Sequence, residues 1–261
     1  MPIALLTDFG TRDHYVAAMK GAILSINPQA VIVDITHEIR PQNIRSAAFT
    51  LLACYKEFPA GTIFVVVVDP GVGSERRGIA ASSDGYYFVG PDNGVLSPAL
   101  DENAKVVELD NPDYFAKRIS ATFHGRDVFA PIAAHLSNGI KLEELGSEIN
   151  DPIFFEFPTA YINSDGTITA EIIHVDRFGN LISNLKEPDL PKKFEVEVGA
   201  RQINKHCKFF AESEPGELVS IVGSSGFLEI VVSQGSAQKL LNAQVGQTIR
   251  LIDKTREPDR T

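Results

Sequence analysis

The chain has 261 residues, of which 44% are hydrophobic and 22% charged, with 20 glycines and 15 prolines. This composition excludes a collagen-like or low-complexity chain, and the length suffices for one large core or two smaller ones. A net charge of −10 argues against an electrostatic nucleic-acid binder, which needs clustered Lys and Arg to displace counterions, and in the same way against an anionic membrane surface. In chain order, Ile3–Thr7 is short and nearly all apolar, the pattern of a parallel strand buried on both faces. Val16, Met19, Ile23 and Ile26 then recur at helical spacing, with Thr11 or Asp13 as N-cap and Asn27-Pro28 as the stop. Val31–Ile35 reads as a second strand, Ile44–Tyr55 as a helix, and Ile63–Val68 as the third and most apolar strand. Alternation at this pitch predicts βαβ units and a largely parallel sheet.

The pattern then changes. Ile79–Ser82 and Tyr86–Val89 flank Asp84-Gly85, a strong hairpin signal, and Val106–Leu109 reads as a further strand. Asp127–Leu136 reads as a helix ended by Asn138-Gly139. A domain boundary is expected in the stretch from Asn150-Asp151-Pro152 to Pro158, giving an α/β domain over 1–150 and a smaller all-β, barrel-like domain over 151–261. In the latter, Thr167–Val175, Phe194–Val198, Leu218–Val222, Phe227–Val232 and Thr248–Ile252 have strand length, and Gln238–Leu241 reads as a helical turn. Cys54 and Cys207 lie far apart, form no CxxC, and are expected as reduced thiols of a cytoplasmic protein. The opening Met1-Pro2-Ile3-Ala4-Leu5-Leu6 carries no basic leader pattern, and no apolar run approaches the ~20 residues of a membrane span.

Three clusters at predicted strand or helix ends carry candidate chemistry. Asp8 follows the first strand in Thr7-Asp8-Phe9-Gly10, and Asp69 follows the third in Asp69-Pro70-Gly71-Val72-Gly73-Ser74. If those strands are parallel neighbours, both carboxylates reach one crevice at the strand ends, where open α/β sheets bind ligands; otherwise each caps a helix or orders a turn. Gly71-Val72-Gly73-Ser74 is no phosphate loop, since neither GxxxxGK[ST] nor a helix-opening GxGxxG is present. Either Arg76 or Arg77 can fold back toward Asp69, or both can be a solvated basic pair. The third cluster is Thr122-Phe123-His124-Gly125-Arg126-Asp127, with Asp127 expected at a helix N-terminus; of the other histidines, His37 has the best setting. Later in the chain, Asp176-Arg177-Phe178-Gly179-Asn180 and Ser224-Ser225-Gly226-Phe227-Leu228-Glu229 set aromatic rings beside amide and hydroxyl donors, as a flat heterocycle requires, or are simply β-turns.

Taken together and in order, these motifs resemble the S-adenosyl-L-methionine hydroxide adenosyltransferases, relatives of the adenosyl halogenases, over essentially the whole chain. The resemblance implies an enzyme that cleaves S-adenosyl-L-methionine with water to give adenosine and L-methionine, with no cofactor and no metal. It implies that Asp69, Arg76 and His124 are the reactive set and that Asp8 holds the ribose diol. Asp13, Asp176 and Ser225 match positions for the methionine end, and Phe178 and Asn180 match the adenine side. It further implies a homotrimer with sites shared between subunits. The halogenases carry an aromatic residue where Asp69 stands, lack the Arg76 match and insert a loop near Asp84-Gly85, so the chain falls on the hydrolase side. Two rival readings are a metal-dependent hydrolase with Asp8, Asp69, His37 and His124 as ligands, and a non-catalytic sensor of S-adenosylmethionine or adenosine.

Overall fold

The computed structural model describes residues 1–255, which fall into two compact units, Met1–Glu156 and a second beginning at Phe157. In the first unit the elements are β1 (Ile3–Thr7), α1 (Tyr15–Ile26), β2 (Ile32–Thr36), α2 (Ile44–Cys54), β3 (Ile63–Val67), β4 (Gly78–Ser83), β5 (Tyr86–Pro91), β6 (Lys105–Glu108) and α3 (Ala130–Ser137). They form a six-stranded sheet in the order β2-β1-β3-β5-β4-β6. β2, β1, β3 and β5 run parallel, while β4 is antiparallel to both neighbours.

The near-continuous apolar runs of β1 and β3 follow from burial on both faces. Ile3 and Leu5 share one core with Ile63, Val65 and Val67, and with Met19 and Ile23 of α1 and Ile132 of α3. Ala4 and Leu6 face the other way, with Phe64 and Val66, into a core completed by Ala47 and Leu51 of α2. Alternate side chains of one strand thus serve opposite layers. β1 and β3 pair in register from Ile3↔Ile63 to Thr7↔Val67, so Asp8 and Asp69 leave the sheet at the same edge.

Two local expectations are corrected. Neither Thr11 nor Asp13 caps α1: its N-cap is His14, which makes no capping side-chain bond, because the chain stays irregular up to His14. The helix expected from Asp127 begins as a wide π-type turn, Gly125–Phe129, and becomes α-helical only at Ala130. Pro131 explains the delay, since it has no N–H to give the Asp127 carbonyl four residues back. The Ala116 N–H bonds that carbonyl instead, at 2.8 Å.

The second unit contains β7 (Tyr161–Ile162), β8 (Ile168–Val175), β9 (Leu181–Lys186), β10 (Phe194–Val198), β11 (Arg201–Ile203), β12 (His206–Cys207), β13 (Leu218–Val222), β14 (Phe227–Val232), α4 (Ala237–Leu241) and β15 (Thr248–Asp253). Its sheet runs β11-β10-β15-β8-β9-β14-β13-β12, with β7 on β8, and is barrel-like as expected. β9 has no counterpart among the strands expected from sequence, because its middle residues, Ser183 and Asn184, break the apolar alternation. Both are held: the Ser183 hydroxyl donates to the Leu228 carbonyl at 2.8 Å, and the Asn184 amide to the Pro158 carbonyl at 2.5 Å. No helix among the described residues is long and apolar enough to cross a membrane.

Gly90 shows how closely β3 and β5 approach. A Cβ there would lie 2.4 Å from the Val66 carbonyl oxygen, so the strands would have to separate. Gly90→Ala is therefore expected to destabilise the chain by more than about 2 kcal/mol, read from the denaturant midpoint.

Candidate active site

A cavity of about 390 Å³ opens at the carboxyl edge of the parallel strands, lined among others by Asp8, Phe9, Tyr15, Gln42, Asp69, Phe123 and His124. Asp8 begins the turn after β1. Its Oδ2 accepts the Gln42 N–H at 2.7 Å, which leaves lone pairs for a ligand. Gly10 closes the turn at φ +66°, its N–H donating to the His37 carbonyl at 2.7 Å. Gln42 also sits at positive φ (65°), unusual for a residue with a Cβ, and this aims its N–H at the carboxylate. No sequence signal marked Gln42. Phe9, Tyr15 and Phe123 form an aromatic wall, with centroids 5.3–5.8 Å apart in tilted and edge-to-face contacts.

Asp69 and His124 come together through Arg76. Arg76 Nε lies 3.0 Å from each Asp69 oxygen, and Nη2 also donates to Oδ2. The same Nη2 lies 2.9 Å from His124 Nδ1, and the guanidinium sits 5.3 Å from the centre of the Phe129 ring. The Asp69 side chain is 5% exposed and that of Arg76 12%. A guanidinium can only donate, so His124 Nδ1 must accept; the imidazole is neutral and carries its proton on Nε2. Burial, then the Arg76 charge, hold the His124 pKa below its ordinary value, which favours the same neutral form.

Gly73 lets the Asp69–Arg76 loop reach His124. It lies at φ +78°, and a Cβ there would fall 2.1 Å from the Ala121 carbonyl, three residues before His124. Asp127, expected as a helix-terminal residue, instead closes the 120–127 loop. It is buried, accepts the Ser120 N–H at 2.8 Å and pairs with Arg126 at 2.6 and 2.8 Å. Arg77 turns away from Asp69 to Asp92 and Asp151. Asp13 is exposed ahead of α1 and is not part of the cavity wall.

The metal-ligand set imagined for Asp8, Asp69, His37 and His124 does not assemble. Among the described residues no group of three or more His, Cys, Asp or Glu could hold a metal ion. The His37 ring lies instead between the Thr7 hydroxyl, 2.9 Å from Nδ1, and Asp34, 3.0 Å from Nε2; the latter is an electrostatic contact, not an aligned hydrogen bond.

In the second unit, Phe178 and Asn180 line a cavity of about 710 Å³ together with Phe210, Ser213, Ser233 and Gly235. Phe178 is 75% exposed, a large apolar ring without protein cover, whereas Asn180 is buried. Asp176 orders the turn between β8 and β9: its Oδ1 accepts the N–H groups of Phe178 (2.9 Å) and Asn180 (2.8 Å), and its Oδ2 accepts the Asn180 amide (2.9 Å). Ser225 lies half-buried in the turn before β14. Glu229, at the end of the Ser225–Glu229 motif, has its carboxyl pushed up to about 7, first by burial and then by the Asp176 charge.

An α/β unit whose cavity at the carboxyl edge of the parallel strands gathers carboxylates, a guanidinium-held imidazole and aromatic rings has the arrangement of an open-sheet enzyme. The model of the SAM hydroxide adenosyltransferase N-terminal domain matches residues 3–146, and that of the C-terminal domain residues 170–250. The chain belongs to the SAM hydroxide adenosyltransferase family. It is 38% identical to the (R)-S-adenosyl-L-methionine hydrolase of Salinispora arenicola, over 95% of this chain and 97% of that protein. It is also 38% identical to the enzyme of the same name from Thermus thermophilus, over 96% and 99%. A fluorinase from Actinopolyspora mzabensis is more distant, at 25% identity over 95% and 96%. A crystal structure of an uncharacterized conserved protein from Thermotoga maritima superposes with a TM-score of 0.88 at 37% identity, covering 96% of this chain and 99% of that one.

The Glu229 carboxyl predicts a pH effect with a definite sign. It binds a proton more readily folded than unfolded, so folding takes up protons between its ordinary value of 4.5 and about 7. Its contribution to stability therefore falls as pH rises through that window. Glu229→Gln is expected to melt higher than the parent at about pH 8 and to gain little at about pH 5, measured by thermal unfolding.

Proposed function

We infer that this chain hydrolyses S-adenosyl-L-methionine by attack of water at C5′, giving adenosine and L-methionine, with Asp69, Arg76 and His124 acting on the water. The observation that carries this reading is one guanidinium bonded to both Asp69 and His124 at the wall of a cavity that also presents Asp8. The new O–C5′ bond forms as the C5′–S bond breaks, its electron pair staying on sulfur, and the one proton that water loses is released to solvent, so that the sulfonium cation and water give adenosine, L-methionine and a proton. The sulfonium cation becomes a neutral thioether, so charge is dispersed as the reaction proceeds and a dry, apolar-walled pocket favours it.

Water is a weak nucleophile and must be both aimed and partly deprotonated. Asp69 offers the cavity an acceptor toward which a water proton points, and His124, neutral with its proton on Nε2, offers a donor. Arg76 holds both in place and raises the local positive potential, which stabilises hydroxide character on the attacking oxygen. Asp8 accepts two hydrogen bonds from the ribose cis-diol and so fixes C5′ for in-line attack. Phe178 and Asn180 serve adenine; Asp13, Asp176 and Ser225 serve the methionine end. The reaction as balanced calls on no cofactor and no metal.

Relatives at 37–38% identity are named for the R epimer at sulfur, and we extend that preference to this chain. The sensor reading is disfavoured by the intact set of Asp69, Arg76 and His124. A homotrimer is part of the proposal, supported by the family resemblance. So is a cytoplasmic location, supported by the unpaired Cys54 and Cys207.

The direct test is to incubate the protein with each sulfonium epimer in chloride or fluoride buffer and resolve the products. Adenosine from the R epimer, without 5′-halo-adenosine, is expected; no adenosine from either epimer refutes the reading. Asp69→Ala and His124→Ala should each lose about a hundredfold or more in turnover while adenosine affinity stays near that of the parent, because neither residue is assigned to ribose or adenine. Light scattering should give three times the 28.4 kDa mass of the chain.

A further inference from the structure

We propose that Asp92 and Asn93, the two residues that follow β5, form a positioning clasp that keeps the backbones carrying Asp69 and Arg76 at a fixed separation. The proposal rests on the reading of Asp69 and Arg76 as part of the water-activating set, and it concerns residues to which that reading gives no role.

Asp69 and Arg76 are the two ends of a loop, Pro70–Glu75, whose residues are half-buried or exposed. The loop is held by its own turns, from Val72 N–H to the Asp69 carbonyl at 3.3 Å and from Ser74 N–H to the Gly71 carbonyl at 3.1 Å. Such a loop does not by itself set the distance between its ends. β5 lies beside β3 in the sheet, and its last residue, Pro91, delivers the chain to the same edge.

Asp92 is 2% exposed, and its N–H and both carboxylate oxygens are hydrogen-bonded. Its Oδ2 accepts Arg77 Nε at 2.9 Å and Arg77 Nη2 at 2.7 Å, and its own N–H donates to the Arg77 carbonyl at 2.9 Å. Arg77 is therefore gripped at both its backbone and its guanidinium, one residue from Arg76. Oδ1 accepts the Ile153 N–H at 2.7 Å, which steadies the carboxylate from the other side. Asn93 completes the clasp at the other end of the loop. Its Nδ2 donates to the carbonyl of Val68 at 2.9 Å, one residue before Asp69, while its Oδ1 accepts the Val95 N–H at 3.1 Å.

Two consecutive residues thus hold the neighbours of the two reacting partners. Neither lines the cavity that Asp69 and His124 face, so the role assigned to them is positioning and not contact with the reacting atoms. A buried ion pair repays little of its desolvation as stability and is better suited to specifying one arrangement. The arrangement specified here is the aim of Arg76, which must meet Asp69 and His124 Nδ1 with a single guanidinium.

The test uses the full chain and steady-state kinetics per folded enzyme. Asp92→Asn, which keeps the shape and removes the charge, is expected to lower kcat about ten- to a hundredfold with KM changed less than about threefold. Asn93→Ala, at a half-buried uncharged position, should do the same more mildly and serves if Asp92→Asn does not fold. In an Arg76→Lys background, where the forked contact is already lost, either clasp variant should cost less than about threefold more. A role confined to general stability would lower the melting temperature but leave kcat unchanged, or would lower kcat by the same factor in both backgrounds; either result overturns the proposal. If Arg76→Lys alone leaves kcat unchanged, the reading of the catalytic set has failed, and the clasp falls with it.

Discussion

The guanidinium of Arg76 is the contact on which the candidate site depends. Asp69 comes from the end of β3 and His124 from the loop before α3, so nothing in the local chain brings the two together. One group with several fixed donors meets the carboxylate through Nε and Nη2 and the imidazole through Nη2 alone. Lysine, a point charge without a planar fork, could not hold both partners at set angles. The price of placing this pair where the side chains are 5% and 12% exposed is desolvation, and the Phe129 ring against the guanidinium face offsets part of it.

That contact also settles the protonation pattern. Because arginine cannot accept, the His124 nitrogen facing it must carry a lone pair, and burial and positive charge both oppose protonation of the ring. The cavity therefore meets a carboxylate acceptor and an imidazole N–H donor side by side, the complement of a water molecule. Opposite them, Asp8 is held at the turn after β1 by the Gln42 N–H, in a backbone conformation that a residue with a Cβ rarely takes. The rings of Phe9, Tyr15 and Phe123 add an apolar wall to the same cavity.

The sheet supplies the rigid frame. β1, β3 and β5 are buried on both faces, in register and close-packed enough that Gly90 touches the β3 backbone. Asp8, Asp69 and Asp92 follow three neighbouring parallel strands and so share one edge, yet their environments divide their roles. Two face the cavity, and the third is buried against Arg77.

Much of this was legible in the chain itself. All-apolar Ile3–Thr7 and Ile63–Val68 announced strands buried on both faces; that the two are parallel neighbours in register, the condition on which Asp8 and Asp69 meet, came from the tertiary structure. The barrel-like second unit was legible from its short alternating strands, except β7, β11 and β12, which are too short to show a period, and β9, where Ser183 and Asn184 mimic a loop because polar side chains that bond backbone carbonyls leave no apolar period. The ordered motifs pointed to the family before any geometry. Only the tertiary structure decided between Arg76 and Arg77, which are equivalent as local sequence. Successive side chains of an extended segment point to opposite sides, and one side holds Asp69 and His124 while the other holds Asp92 and Asp151. The imidazole tautomer, the π-type turn imposed by Pro131 and the partners of Asp92 and Asn93 were likewise settled in three dimensions. Each depends on which groups meet across long sequence separations, and residue type and spacing do not encode those meetings.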